Sequence, residues 1–270
     1  MFNYHRKTFI YLIVLLSASG KFIAQNNNDS IYIQKDIKQD SVVVPHVETD
    51  DHTHQFNYKK LIIPTALISY GVASLSIKSL KELNSSTQYE ISEHKPDQIK
   101  LDNYAQFAPA VLVYGLNAAG IKGKHNFRDR SIIYGTSMLI TSAITLPLKH
   151  IVKEERPDGS NNLSFPSGHT AIAFASAQFM FREYKDTNFL LGISGYSFAV
   201  FTGVYRMLNN KHWFGDVVGG AGFGILSTEL AYWLYPKINK LLGGKNEKSQ
   251  TMVMPFYQQG NVGIGLVKNF

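Results

Sequence analysis

The apolar positions of this chain fall in long blocks divided by short polar stretches. They show neither the alternation of a half-buried strand nor the single narrow stripe of an amphipathic helix. Leu61–Ile77 runs 17 residues without a charge, Tyr104–Ile121 runs 18, and Ser131–Leu148 another 18. Thr170–Phe181 (12 residues), Phe189–Tyr205 (17) and Val217–Tyr235 (19, with Glu229 inside) follow. Their length and their Gly, Ala and Ser content exclude strands and predict helices that are apolar nearly all round. Pro147 is expected to close the third, because its ring collides with the preceding turn and removes a backbone donor. At 1.5 Å per residue the 17–19-residue segments reach roughly 26–29 Å, close to the thickness of bilayer hydrocarbon. The expected fold is all-α, a compact bundle of about six helices, mostly membrane-spanning, over residues 60–236.

The flanks differ. His5, Arg6 and Lys7 precede the ten-residue apolar run Phe9–Ala18, and small residues lead to Ala24. This is the layout of a secretory signal peptide over 1–24, too short to span a bilayer. Residues 25–59 are polar, lack a sustained period, and read as a linker. His52 and His54 within it read as a solvated pair and not as metal ligands. In the tail, 237–270, two β-prone stretches flank Gln258-Gln259-Gly260-Asn261 and predict a small hairpin.

Loop charge bears on orientation. Lys122, Lys124, Arg128 and Arg130 lie between the second and third segments, and Lys237, Lys240, Lys245 and Lys248 follow the sixth. If segments three to six all span, both basic stretches lie on one side, the cytoplasmic one, and the loops after segments three and five face outward. A cleaved signal leaves residue 25 outside as well, and three full spans from there reverse the result. Either Leu61–Ile77 does not cross fully, as Pro64 permits for a re-entrant or surface helix, or the bundle is not integral.

Composition narrows the chemistry. With no Cys the chain holds no disulfide, no thiolate nucleophile and no thiolate-bound metal. The formal charge of +7 loses three cations and no acid with residues 1–24, leaving +4, too small and too scattered for nucleic-acid binding. A mean hydropathy of −0.11 keeps a soluble bundle in view.

Three clusters stand at the ends of the third to sixth segments: Lys149 with Arg156-Pro157, then Pro166-Ser167-Gly168-His169, then Arg206, His212 and Asp216. Unpaired cations at the mouth of an apolar bundle are costly, so Lys149, Arg156 and Arg206 call for an anion. An Arg fork fits two phosphate oxygens, while Lys supplies a point charge. Ser167 suits a helix cap, and Gly168 bares backbone N–H groups at the positive end of a helix, an anion cradle. His212 and Asp216, four apart, share a helix face, so the carboxylate can hold one ring nitrogen and leave the other free.

Taken together, Lys149-x6-Arg156-Pro157, Pro166-Ser167-Gly168-His169 and Arg206-x5-His212-x3-Asp216 resemble the three-part signature of the type 2 phosphatidic acid phosphatase and vanadium haloperoxidase superfamily. The resemblance covers about Leu61 to Tyr235 in helix order. Two departures bear on substrate choice: Tyr205 stands where a Ser is usual, and only eight residues separate Pro157 from Pro166. The resemblance implies that His212 attacks phosphorus to form a phosphohistidine, with Asp216 orienting its ring. It implies that His169 protonates the leaving oxygen and later activates water. Lys149, Arg156 and Arg206, with the Ser167 hydroxyl and the Gly168 N–H, would hold the phosphoryl oxygens. No metal or other cofactor is required. The expected substrate is a lipid phosphate or polyprenyl diphosphate, met at a cell-envelope membrane with the site facing the periplasm. A soluble periplasmic acid phosphatase on the same scaffold is the alternative, and a vanadium haloperoxidase a more distant one.

Overall fold

The computed structural model describes residues 58–93, 100–243, 251–258 and 261–268; the segment read from the sequence as a signal peptide, most of that read as a polar linker and residues 244–250 lie outside them. A 3-10 turn, Tyr58–Leu61, leads into α1 (Ile62–Ser74), followed by α2 (Lys78–Glu93), α3 (Asp102–Ala105) and α4 (Ala108–Ala118). The longer helices are α5 (Phe127–Val152), α6 (Gly168–Tyr184), α7 (Phe189–Leu208) and α8 (Phe214–Leu241). The C-terminal backbone pairs antiparallel as β1 (Thr251–Gln258) and β2 (Asn261–Lys268), with Thr251 opposite Lys268.

Helix α8 is the axis. It packs against α1, α5 and α6, and α6 packs in turn against α7. Glycine lets it do so. A Cβ on Gly71 would lie 2.6 Å from the Gly219 Cα, and one on Gly220 would lie 2.6 Å from the Ser167 carbonyl oxygen. Backbones therefore touch at both places, where any larger residue would push α1 or the loop before α6 away. Most of α8 is buried (72% of its most apolar window), whereas α5 is peripheral (22%) and presents Leu139, Leu146 and Ile151 outward. A core of Val113, Ile133, Phe179, Met180, Tyr184 and Tyr232 fills the end of the bundle remote from the start of α8.

Among the described residues eight α-helices replace the six apolar segments, and each difference has a local cause. Helix α5 continues through Pro147 to Val152 and ends at Lys153, whose left-handed backbone (φ 54°) closes it. The proline is absorbed because it deletes only one bond of a 26-residue helix already held by its neighbours. Tyr104–Ile121 is divided into α3 and α4, because Pro109 stands in the first turn of α4, the position that favours a fresh start. The polar helix α2 has no apolar run to announce it. Among the described residues two helices, α5 and α8, are long and apolar enough to cross a membrane; a third span is available there only if Tyr58–Ser74 and Lys78–Ile91, bent by 90°, act as one.

Direction follows from contacts. Ser74 at the end of α1 meets Gly215 at the start of α8, while Pro64 meets Gly222 farther along, so α1 runs antiparallel to α8. The start of α5 meets the end of α8, with Arg128 Nη1 donating to Asn239 Oδ1 at 2.7 Å. Arg128, Lys237 and Lys240 thus gather at one end of the bundle. The ends of α5 and α7 and the starts of α6 and α8 gather at the other.

Candidate active site

All eight residues singled out from the sequence lie at that second end. Lys149 is in the last turn of α5, Gly168 opens α6, Arg206 is in the last turn of α7, and Asp216 is in the first turn of α8. Arg156 and His212 occupy the loops between. The charges of Arg206, Lys149 and Arg156 all act on His169, and those of Asp216, Lys149 and Arg206 on His212.

His212 is buried, with Nδ1 3.4 Å from Asp216 Oδ2. Asp216 Oδ2 is also the acceptor for Ser164 Oγ (2.5 Å) and for the Trp213 backbone N–H (2.9 Å). The carboxylate is thereby fixed on three sides, and Nε2 is the ring nitrogen that faces away from it. Burial holds the His212 pKa down to about 4, against the pull of Asp216, so the imidazole is neutral at pH 7. A neutral ring with one nitrogen tied is the state a nucleophile needs.

His169 stands in the first turn of α6 and donates through Nε2 to Asn103 Oδ1 at 2.8 Å. Burial, and then Arg206, lower its pKa to about 4. The nearby cations that empty this ring of its proton are the groups a bound phosphoryl anion would neutralise. Occupation by an anion therefore raises the proton affinity of His169.

The three cations differ in their bonds. Lys149 Nζ donates to the carbonyls of Leu163 (2.8 Å), Ser164 (3.2 Å) and Pro166 (2.6 Å), tying down the loop that delivers the start of α6. Arg206 Nη1 donates to Asp102 Oδ2 at 2.8 Å. The Nε atoms of Arg156 and Arg206 are buried without a hydrogen-bond partner among the described residues. Buried donors are nearly always satisfied, and an orphan costs about 1–3 kcal/mol, so two of them beside two imidazoles fit an anionic ligand. A Cβ on Gly168 would meet only Lys149 Cε, at 3.8 Å, so the space beside this helix start is open. Ser167 departs from expectation: it holds the cap position of α6, but its buried hydroxyl pairs with Thr170 Oγ1 (2.8 Å) instead of capping a backbone N–H. Among the described residues no three His, Asp or Glu side chains are grouped to hold a metal.

Several residues here were not singled out from the sequence. Asp102 and Asn103 come from α3, a four-residue helix that no periodicity reveals. Ser164 sits two residues before the Pro166 motif, and Glu154 lies between Lys149 and Arg156. Helix α2 braces the site from outside, with Asn84 Oδ1 accepting from the Gly215 N–H (3.0 Å) and Gln88 bonding to Asn210. Two further ties, Lys211 to Asp158 (2.5 Å) and Trp213 Nε1 to the Glu155 carbonyl (2.8 Å), hold the two loops together.

Residues 130–240 match the family model of the PAP2 superfamily. The chain is 30% identical over 259 residues to the lipid A 1-phosphatase of Porphyromonas gingivalis, an alignment covering 90% of this chain and 54% of that protein. It is 30% identical over 119 residues to the bacitracin transport permease protein BcrC of Bacillus licheniformis, covering 43% of this chain and 55% of that one. The chain thus spans about half the length of the curated relatives it matches. A solved transmembrane PAP2-type phosphatidylglycerolphosphate phosphatase from Bacillus subtilis superposes with a TM-score of 0.49 at 19% identity, over 67% of this chain and 98% of that one. Every candidate site residue from Lys149 to Asp216 falls inside the stretch that matches the PAP2 superfamily model.

Proposed function

We propose that this protein is a metal-independent phosphatase that removes phosphate from a membrane lipid through a phosphohistidine on His212. The observation that carries the reading is the meeting of a neutral, carboxylate-tethered His212 with His169 and three cations, two of which have orphaned guanidinium N–H groups. Nε2 of His212 attacks phosphorus and the P–O bond to the lipid breaks. His169 gives the leaving oxygen its proton, then takes one from the water that splits the P–N bond and frees phosphate. Asp216 stabilises the imidazolium formed on phosphorylation. Lys149, Arg156, Arg206 and the Gly168 N–H spread the charge of the transition state.

A lipid is favoured over a soluble ester by the outward apolar face of α5 and by two helices long enough to span. The relative named for lipid A puts the phosphate of an acylated glycolipid first among substrates, ahead of phosphatidylglycerol phosphate, phosphatidate and a polyprenyl diphosphate. Arg128, Lys237 and Lys240, at the end remote from the site, support a periplasmic active site, because Lys and Arg concentrate on the cytoplasmic side.

The test is phosphate release by the purified protein from those four lipids and from a soluble phosphomonoester. Lipid hydrolysis that survives EDTA, is inhibited by vanadate, and yields acid-labile phosphate on His212 after rapid quench is expected; His212→Ala should lose both. Release restored only by added Mg²⁺, or no release from any lipid, overturns the reading.

A further inference from the structure

Behind His212 and Asp216 lies a third acidic side chain that the mechanism above does not use. Glu154 follows the end of α5, where Lys153 turns the chain, and its backbone carbonyl accepts from the Ser164 N–H at 3.0 Å. Its side chain turns inward against the Asp216 carboxylate, to which it is hydrogen-bonded. Its Oε2 atom is buried, and among the described residues no N–H or O–H reaches it. Two carboxyl groups in contact, with no donor between them, bond only if one carries a proton.

We propose that Glu154 is a positioning residue: as a carboxylic acid it donates its proton to the Asp216 carboxylate, making a chain from Glu154 through Asp216 to His212. This rests on the reading of His212 as nucleophile. The Ser164 hydroxyl, the Trp213 N–H and His212 Nδ1 all meet Asp216 at Oδ2, and Glu154 adds a further donor to the same carboxylate. The shared proton has two consequences. It pins the carboxylate that His212 Nδ1–H meets, and it keeps the buried group at a single negative charge. A second charge would repel the incoming phosphoryl anion and draw a proton onto His212, disarming the nucleophile.

The groups facing Glu154 are Asp216 from α8 and Lys81 from α2, with Lys81 favouring ionisation and Asp216 opposing it. Burial first, then Asp216, raise its pKa to about 9. The acid form therefore holds through neutral pH and is lost as pH rises through about 9, and activity should fall there. Lys149 and the Arg side chains near Asp216 also bear on alkaline behaviour, so the wild-type profile alone does not identify the group.

The experiment compares the full chain with Glu154→Gln and Glu154→Ala. The amide is neutral at every pH and still donates to Asp216. Glu154→Gln should keep neutral-pH turnover within about threefold of wild type and change the alkaline limb, leaving only the part set by Lys149 and the Arg side chains. Glu154→Ala removes one hydrogen bond to a charged group and should lower kcat about tenfold or more. Difference infrared spectroscopy on wild type against Glu154→Gln, which needs no turnover, should show a protonated-carboxyl band that vanishes in the variant and titrates near pH 9. An unchanged alkaline limb in Glu154→Gln, or no such band in the wild type, overturns the proposal. Failure of wild-type protein to form any phosphoenzyme would instead strike the phosphohistidine reading itself.

Discussion

Replacing Asp216 by Asn removes one buried negative charge and almost no volume. The new amide oxygen can still accept from the Trp213 N–H and from Ser164 Oγ, so the first turn of α8 should keep its shape. On the proposed mechanism, what is lost is the attraction between the carboxylate and the imidazolium that forms when His212 takes up the phosphoryl group. At the observed 3.4 Å and an effective dielectric constant of about 20, one pair of unit charges is worth roughly 5 kcal/mol. At 1.36 kcal/mol per tenfold, Asp216→Asn should slow the chemical step by between about three and four powers of ten. KM should move far less, because the ground-state ring is neutral and feels the charge weakly. Rapid-quench measurement of phosphoenzyme formation isolates that step, with steady-state phosphate release beside it. A loss below about tenfold, in protein shown to be folded, would mean that His212 never becomes cationic during turnover.

Other expectations follow from the same geometry. Arg206→Ala should lower kcat roughly 10–100-fold, the worth of one or two charged hydrogen bonds. It also leaves Asp102 buried and unpaired, so thermal stability should fall; adding Asp102→Ala should restore stability without restoring turnover, and recovery of both would remove Arg206 from the phosphate site. His212 bears on stability as well, because its folded pKa of about 4 lies below the ordinary 6.5. The unfolded chain therefore takes up a proton that the folded chain refuses, so this stabilising contribution is full above pH 6.5 and drains away as pH falls toward 4. By pH 5 the loss amounts to about 2 kcal/mol. His212→Asn should accordingly show a shallower decline in Tm between pH 7 and pH 5 than wild type, and parallel declines would contradict the burial.

The candidate site residues were legible because three motifs beside helix ends resemble a known signature, and helix ends are marked locally. Gly168 follows Ser167 at the start of α6, and Arg206 closes an apolar run. The bundle had only to bring four such ends together. Helix boundaries were less legible where tertiary contacts outweigh local preference. Pro147 reads as a stop, yet the helix passes it, because packing against α6 and α8 outweighs one missing hydrogen bond. Helix α2 was invisible because its stability comes from bonds to Gly215 and Asn210, residues more than a hundred positions away.

By itself, then, the order of residues determined the helical class and the apolar blocks, since periodicity is a local property, while three motifs marked two imidazoles and three cations as candidates through their resemblance to a known signature. Only the tertiary structure decided what surrounds them. Asp102 on Arg206, Asn103 on His169, Ser164 and Glu154 on Asp216, and the Lys149 bonds to three carbonyls all join segments distant in sequence. Such contacts depend on how close two backbones come, and here glycines on α1 and α8 set that distance.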